Sequence, residues 1–300
     1  MNYNIGNKIK DLRKYLHITQ AELAQNICSQ AMISKIEKHE EIYPSAELLY
    51  QISQRLGVTI DYFFQETELL NINYVNDVCD QLNSLIQLRK FEEAYRVVKL
   101  EQKNPHFQEP HLRRYLLWRE AICVCYLEGE VEKALELIDQ ALALSKTTKK
   151  NYSIEELDIL TSKAIFLGIL NKWSAADQLY EHILSHAQKS VYQKGKGTLA
   201  NIYYNYSRTS LFLGNYNKAL KFANSGIALC KEEKTIFLLG HLYYQKAETL
   251  SKIEGKVTSD ILNIYKDAVW VFKQIGDDKS CEYVLSKIDS LTVNNPTTSQ

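Results

Sequence analysis

At 300 residues, 45% of them apolar, the chain is long enough for about two domains with substantial buried cores. Only four prolines and eleven glycines occur and alternating Val/Ile/Thr runs are rare, which excludes β architectures and predicts a nearly all-helical, all-α protein. Its 36 Lys and Arg balance 36 Asp and Glu, so any contact with nucleic acid has to come from the placement of basic residues and not from a surplus.

The chain opens on a polar, charged stretch, and no segment approaches the roughly 18 uninterrupted apolar residues of a membrane span. Neither a signal peptide nor a membrane partner is therefore expected, and the protein is expected in the cytoplasm. Ile5, Ile9, Leu12 and Leu16 step by four, three and four, which predicts a first helix with Lys8, Lys10, Arg13 and Lys14 on its other face.

Thr19 to His39 then reads as two short helices and a tight turn. Thr19 with Glu22 forms a capping box and starts a helix at Gln20, with Leu23 and Ile27 inward and Ala24 small enough for a close crossing. Ser29 caps a second helix from about Gln30 to Lys38, with Ile33 and Ile36 inward. Gln30, Ala31, Ser34 and Lys35 are left pointing out, an amide, a methyl, a hydroxyl and an amine that suit base edges and phosphates. These residues resemble the helix-turn-helix of lambda-repressor-type regulators, whose second helix lies in the major groove. The turn departs from that pattern. It is one residue shorter and has Asn26-Ile27-Cys28 instead of a glycine, and Asn tolerates the left-handed conformation.

Pro44-Ser45 opens a helix with Leu48, Leu49, Ile52 and Leu56 inside and a stop at Gly57, and Thr59 caps a short one ending in Phe63-Phe64. Five helices in residues 1–66 make a small DNA-binding domain. It holds seven basic residues (8, 10, 13, 14, 35, 38, 55) against eight acidic ones (11, 22, 37, 40, 41, 47, 61, 66). Six of the seven positives sit on the first helix and the second half of the hairpin, which predicts modest nonspecific affinity. Arg13 and Lys38 join the candidate DNA contacts on this ground.

Beyond residue 66 one phrase repeats: a leucine, two polar or glycine positions, an apolar residue, two more, then alanine. The alanines are Ala94, Ala134, Ala176 and Ala219, spaced by 40, 42 and 43, and a further step of 42 reaches Ile261 in a degenerate fifth copy. The spacing exceeds the usual ~34 of a tetratricopeptide repeat, which implies longer helices in the same unit. About five helix pairs over 67–292 should stack into a right-handed superhelix with a concave inner wall, closed by a capping helix from Asp277 to Leu291. Residues 293–300 are polar and contain Pro296, a tail expected to be disordered.

The first helix of each pair lines the inner wall. In the fourth pair Asn201 and Asn205 fall four apart on one face, and an asparagine amide can pair with the backbone of an extended peptide whatever its side chains. Tyr204, Tyr243 and Tyr244 could supply rigid aromatic walls, although packing between helices is the commoner role of a single such tyrosine. Other chemistry is poorly supported. His182 and His186 share a helical face but no third ligand or adjacent glutamate accompanies them, so no metal is expected. The six cysteines (28, 79, 123, 125, 230, 281) form no C-x-x-C and read as buried free thiols, and no nucleotide-binding or hydrolase motif occurs. No cofactor and no enzymatic activity are expected.

The order of parts, and the shortened Asn-Ile-Cys turn, resemble the PlcR-type peptide-responsive regulators over the whole chain. That resemblance implies a homodimer that binds double-stranded DNA at a pseudo-palindrome and is controlled by a short signalling peptide. It implies Gln20, Ser29, Gln30, Ser34 and Lys35 as DNA contacts, and Asn205 and Arg89 as peptide contacts. Ser162 and His241 stand where that family has an asparagine and a glutamine, so the peptide preference need not be shared. Two other readings stay open: a constitutive repressor whose repeats only dimerise, and a scaffold like the Rap phosphatases, whose repeats grip another protein.

Overall fold

A computed structural model describes residues 5–38, 44–64, 68–145, 152–190 and 195–293, all of their regular structure helical. His39, at the end of the expected hairpin, and 294–300 of the expected tail lie outside the described residues; Val293 ends the last helix. The chain divides into two compact units, Met1–Ser84 and Leu85–Gln300.

The first unit contains α1 (Ile5–Tyr15), α2 (Gln20–Ala24), α3 (Gln30–Glu37), α4 (Ala46–Leu56) and a 3-10 turn at Ile60–Phe64, followed by α5 (Glu68–Gln87), which runs across the division. The capping box forms as expected, Glu22 N donating to Thr19 Oγ1 at 3.2 Å and Thr19 N to Glu22 Oε2 at 2.6 Å. Ser29 caps α3 through Met32 N at 3.2 Å. Asn26 takes φ +60°, the left-handed turn that Asn tolerates. Because α2 is only five residues long, Ile27 packs from the turn, against a core of Ile9, Leu23, Ile33, Ile52 and Phe63. Lys8, expected on the outer face of α1, is buried instead: its Nζ donates to the Tyr62 and Phe63 carbonyls, which the end of the 3-10 turn leaves open.

In the second unit α6 (Phe91–Glu101) packs on α7 (Pro110–Cys123), which runs through a π turn (Val124–Glu128) to α8 (Val131–Ala143). Then come α9 (Ile154–Ile169) with α10 (Trp173–Ser190), α11 (Lys196–Phe212) with α12 (Tyr216–Glu232), α13 (Leu239–Glu254) with α14 (Ser259–Ile275), and α15 (Asp278–Val293) against α14. Ala94, Ala134, Ala176 and Ala219 are all 0% exposed, the last three on the second helices of the pairs α7–α8, α9–α10 and α11–α12, where a larger side chain would force the helices apart. Five residues before each alanine the turn is left-handed, at Arg89, Gly129, Asn171 and Gly214. In the fifth copy Gly255 stands six before Ile261, one residue further, which is why that copy reads as degenerate. In the third copy the apolar position of the phrase is an aromatic that packs between helices. Trp173 stacks on Phe212 at 4.3 Å and lies against Gly168, where any Cβ would fall 2.7 Å from its ring.

Candidate DNA and peptide surfaces

On the first unit α3 presents Gln30, Ala31 and Lys35 to solvent, with Ser34 half-buried among them and Lys38 exposed at the C-cap. Ser29 is exposed but its hydroxyl is taken by the cap. Arg13 and Gln20 depart from expectation. Both turn inward to Glu37, which is 2% exposed: Arg13 donates to its two oxygens at 2.6 and 2.9 Å, Gln20 at 2.8 Å, and Arg13 also to the Ile18 carbonyl at 3.0 Å. Burial works against the Glu37 carboxylate, but the bonds from Arg13 and Gln20 and the charges of Arg13 and Lys10 hold it below the usual range. A guanidinium so engaged positions α3 against α1 and is not free to meet a phosphate. Arg55 does comparable work on α2. It donates to the Glu22 and Gln25 carbonyls at 2.8 and 3.0 Å, satisfying the end of a helix too short to satisfy itself.

In the second unit the expected residues of α11 and α13 meet. Asn205 is 7% exposed, and its Nδ2 donates to the backbone and side-chain oxygens of Asn201, both at 2.9 Å. Asn201 thus fixes the Asn205 amide and leaves Oδ1 as its acceptor. The Tyr204 ring lies 5.6 Å from that of His241, which meets Phe272 edge-on at 4.8 Å. Burial lowers the His241 pKa, Asp277 partly opposing and Arg89 adding to the shift, so the imidazole is neutral at pH 7. Arg89 is exposed, and its charge is felt at Tyr126, Tyr204, His241 and Asp277, residues from the π turn, α11, α13 and the entry to α15. Tyr244 belongs to a different group: its ring is tilted against Tyr265 at 5.9 Å and meets Tyr283 edge-on at 5.8 Å, and its hydroxyl donates to the Tyr283 hydroxyl at 3.4 Å.

Sequence reasoning passed over Arg208 and Tyr126. Arg208 acts on Tyr126, Tyr180 and Tyr204, and borders with Asn205 and Thr209 a cavity of about 20 Å³ against which the fully buried Tyr180 packs. Tyr126 stacks on Phe91, the aromatic of the first phrase, at 5.0 Å. Its π turn shifts the register by a residue, which no α-helical periodicity reveals. Ser162 is occupied, accepting from Trp118 Nε1 at 2.9 Å and donating to the Asp158 carbonyl at 3.0 Å. His182 and His186 pack on Tyr152, whose hydroxyl lies 3.2 Å from His182 Nε2. Four of the cysteines are buried, and burial pushes Cys123 up to about 12 and Cys125 up to about 11.

Residues 79–289 match the model of the RNPP family C-terminal domain, and residues 9–63 match a helix-turn-helix model. Among solved structures, the chain is similar to Bacillus thuringiensis PlcR in complex with the peptide PapR7 and DNA. That match has 24% identity and TM-score 0.76, and covers 94% of this chain and 99% of that one. The apo form of the same protein matches at 21% identity and TM-score 0.68, covering 96% and 100%. ComR from S. thermophilus, in complex with DNA and its signalling peptide ComS, matches at 13% and TM-score 0.63, covering 95% and 99%. At these identities the likeness is one of fold. No curated relative matches by sequence.

Proposed function

The chain belongs to the RNPP family, and from that premise we propose that it is a transcriptional regulator whose DNA binding is controlled by a short signalling peptide, as in quorum sensing. Residues 1–66 bind DNA through α3, and residues 67–292 bind the peptide on the inner wall and join two copies into a homodimer. The observation that carries this reading is the pairing, in one chain, of an outward Gln30-Ala31-Ser34-Lys35 face with an α11 that carries both a fixed Asn205 amide and Tyr204, whose ring meets His241 of α13 and feels the charge of Arg89. The PlcR and ComR structures it resembles hold both DNA and a peptide. No described helix is long and apolar enough to cross a membrane. The protein acts by binding and not as an enzyme.

Asn205 Oδ1 accepts a peptide N-H whatever the peptide's side chains, and the aromatic rings hold its apolar groups. Selection of bound sequences from random duplex DNA, with and without a peptide recovered by affinity from the protein, tests the reading. A selected two-fold site whose occupancy responds to the peptide is expected. Selection of no site refutes DNA binding, and a site indifferent to every retained peptide favours the constitutive repressor.

A further inference from the structure

Among the carboxyls of the inner helices, Asp158 is one that the Asn205 anchor does not use. Asp158 lies on α9, one helical turn before Ser162, with α7 and α11 on either side. Thr198 Oγ1 of α11 donates to Asp158 Oδ2 at 3.0 Å, and Ser162 ties the same backbone to Trp118 of α7. Oδ1 accepts no hydrogen bond and the carboxylate forms no ion pair among the described residues. The charged groups facing it are Arg119 of α7, whose Cζ lies 3.8 Å from the Trp118 ring centre and 4.7 Å from that of Tyr115, and Glu155 of its own helix, paired with Arg114 at 2.7 Å.

Asp158 is half-buried, and a carboxylate without an ion pair that is partly withdrawn from water is costly. Burial pushes Asp158 up to about 6, against the Thr198 bond and the Arg119 charge, with Glu155 adding to the rise. Asparagine would keep the Thr198 bond without the charge, so the wall holds a carboxylate at the expense of stability. Such a group in a binding wall points to a ligand of opposite charge.

We propose that Asp158 is a specificity-determining residue of the inner wall, receiving through Oδ1 an ammonium group of the bound peptide, either its free amino terminus or a lysine side chain. The proposal rests on the peptide-binding reading above. An ammonium arriving there replaces scarce water with a charge-assisted hydrogen bond, the kind that gains most in a partly desolvated wall.

The test uses immobilised full-length protein and three pools of randomised short peptides: free amino termini with lysine omitted, N-acetylated with lysine, and N-acetylated with lysine omitted. Retained peptides are quantified by mass spectrometry. Wild type is expected to retain one of the first two pools roughly ten- to a hundredfold better than the ammonium-free pool, and which one identifies the source. Asp158→Asn should hold all three pools equally, with a melting temperature no lower than wild type. Lowering the pH from about 7.5 to about 5 should cut the preference in wild type about tenfold while leaving Asp158→Asn without one at either pH. Equal retention of the ammonium-free pool by wild type, or a preference that survives in Asp158→Asn, overturns the proposal and leaves peptide binding standing. No retention from any pool overturns both.

Discussion

Two acidic residues respond to pH in opposite directions because their surroundings differ. Glu37 is held below its ordinary range by Arg13 and Gln20, so its contribution to stability is present above the carboxylate's unfolded pKa and is lost as pH falls through the folded value. Glu37→Gln strands the Arg13 guanidinium, and a loss of roughly 3 kcal/mol by urea denaturation at neutral pH is expected. Asp158 is raised from 3.8 to about 6, so the folded state binds its proton more tightly. That contribution is complete below about pH 4 and is lost as pH rises to about 6, on the order of 3 kcal/mol. Asp158→Asn should therefore be the more stable protein at neutral pH, and equal melting curves at pH 7.5 would contradict the assigned shift. At the anchor, Asn205→Ala is expected to weaken peptide binding by about 1 to 3 kcal/mol by calorimetry, with unchanged DNA binding in the peptide's absence. The capping box was legible in sequence because its partners lie three residues apart. The Arg13–Glu37 pair was not, its partners being 24 residues apart, and Arg13 read as one more surface cation.

Among the elements, the repeats were legible because one small residue per pair is dictated by helix approach, and its spacing survives variation in everything around it. Ala94, Ala134, Ala176 and Ala219 fixed the pairing, but the extra residue before Ile261 and the π turn after α7 lie outside any such rule. Ala176→Leu should overpack α9 against α10 and cost about 1 to 3 kcal/mol, measurable by thermal denaturation. Arg89 occupies the turn position that Gly129 and Gly214 fill elsewhere, at φ +56°, where a side chain is disfavoured by about 1 kcal/mol or more. Arg89→Gly is accordingly expected to stay within about 1 kcal/mol of wild-type stability while losing peptide affinity, since its charge reaches Tyr204 and His241. Unchanged affinity would make Arg89 a turn residue alone.

At the scale of the whole molecule, one α3 reads too few base pairs for selectivity, so two copies on half-sites about 34 Å apart are expected. A peptide alters DNA binding only through its different affinity for two shapes of the protein, and a shift from 1:99 to 99:1 needs about 5.5 kcal/mol. Stacked pairs that touch chiefly their neighbours can supply such a second shape by small changes at each interface. The measurement that tests this most directly is the affinity for a selected DNA site, by fluorescence anisotropy, with and without a saturating retained peptide. A shift of at least about tenfold is expected, and Asn205→Ala should abolish it at the same peptide concentration. Superimposable binding curves with and without peptide, for wild-type protein that demonstrably holds it, would contradict it.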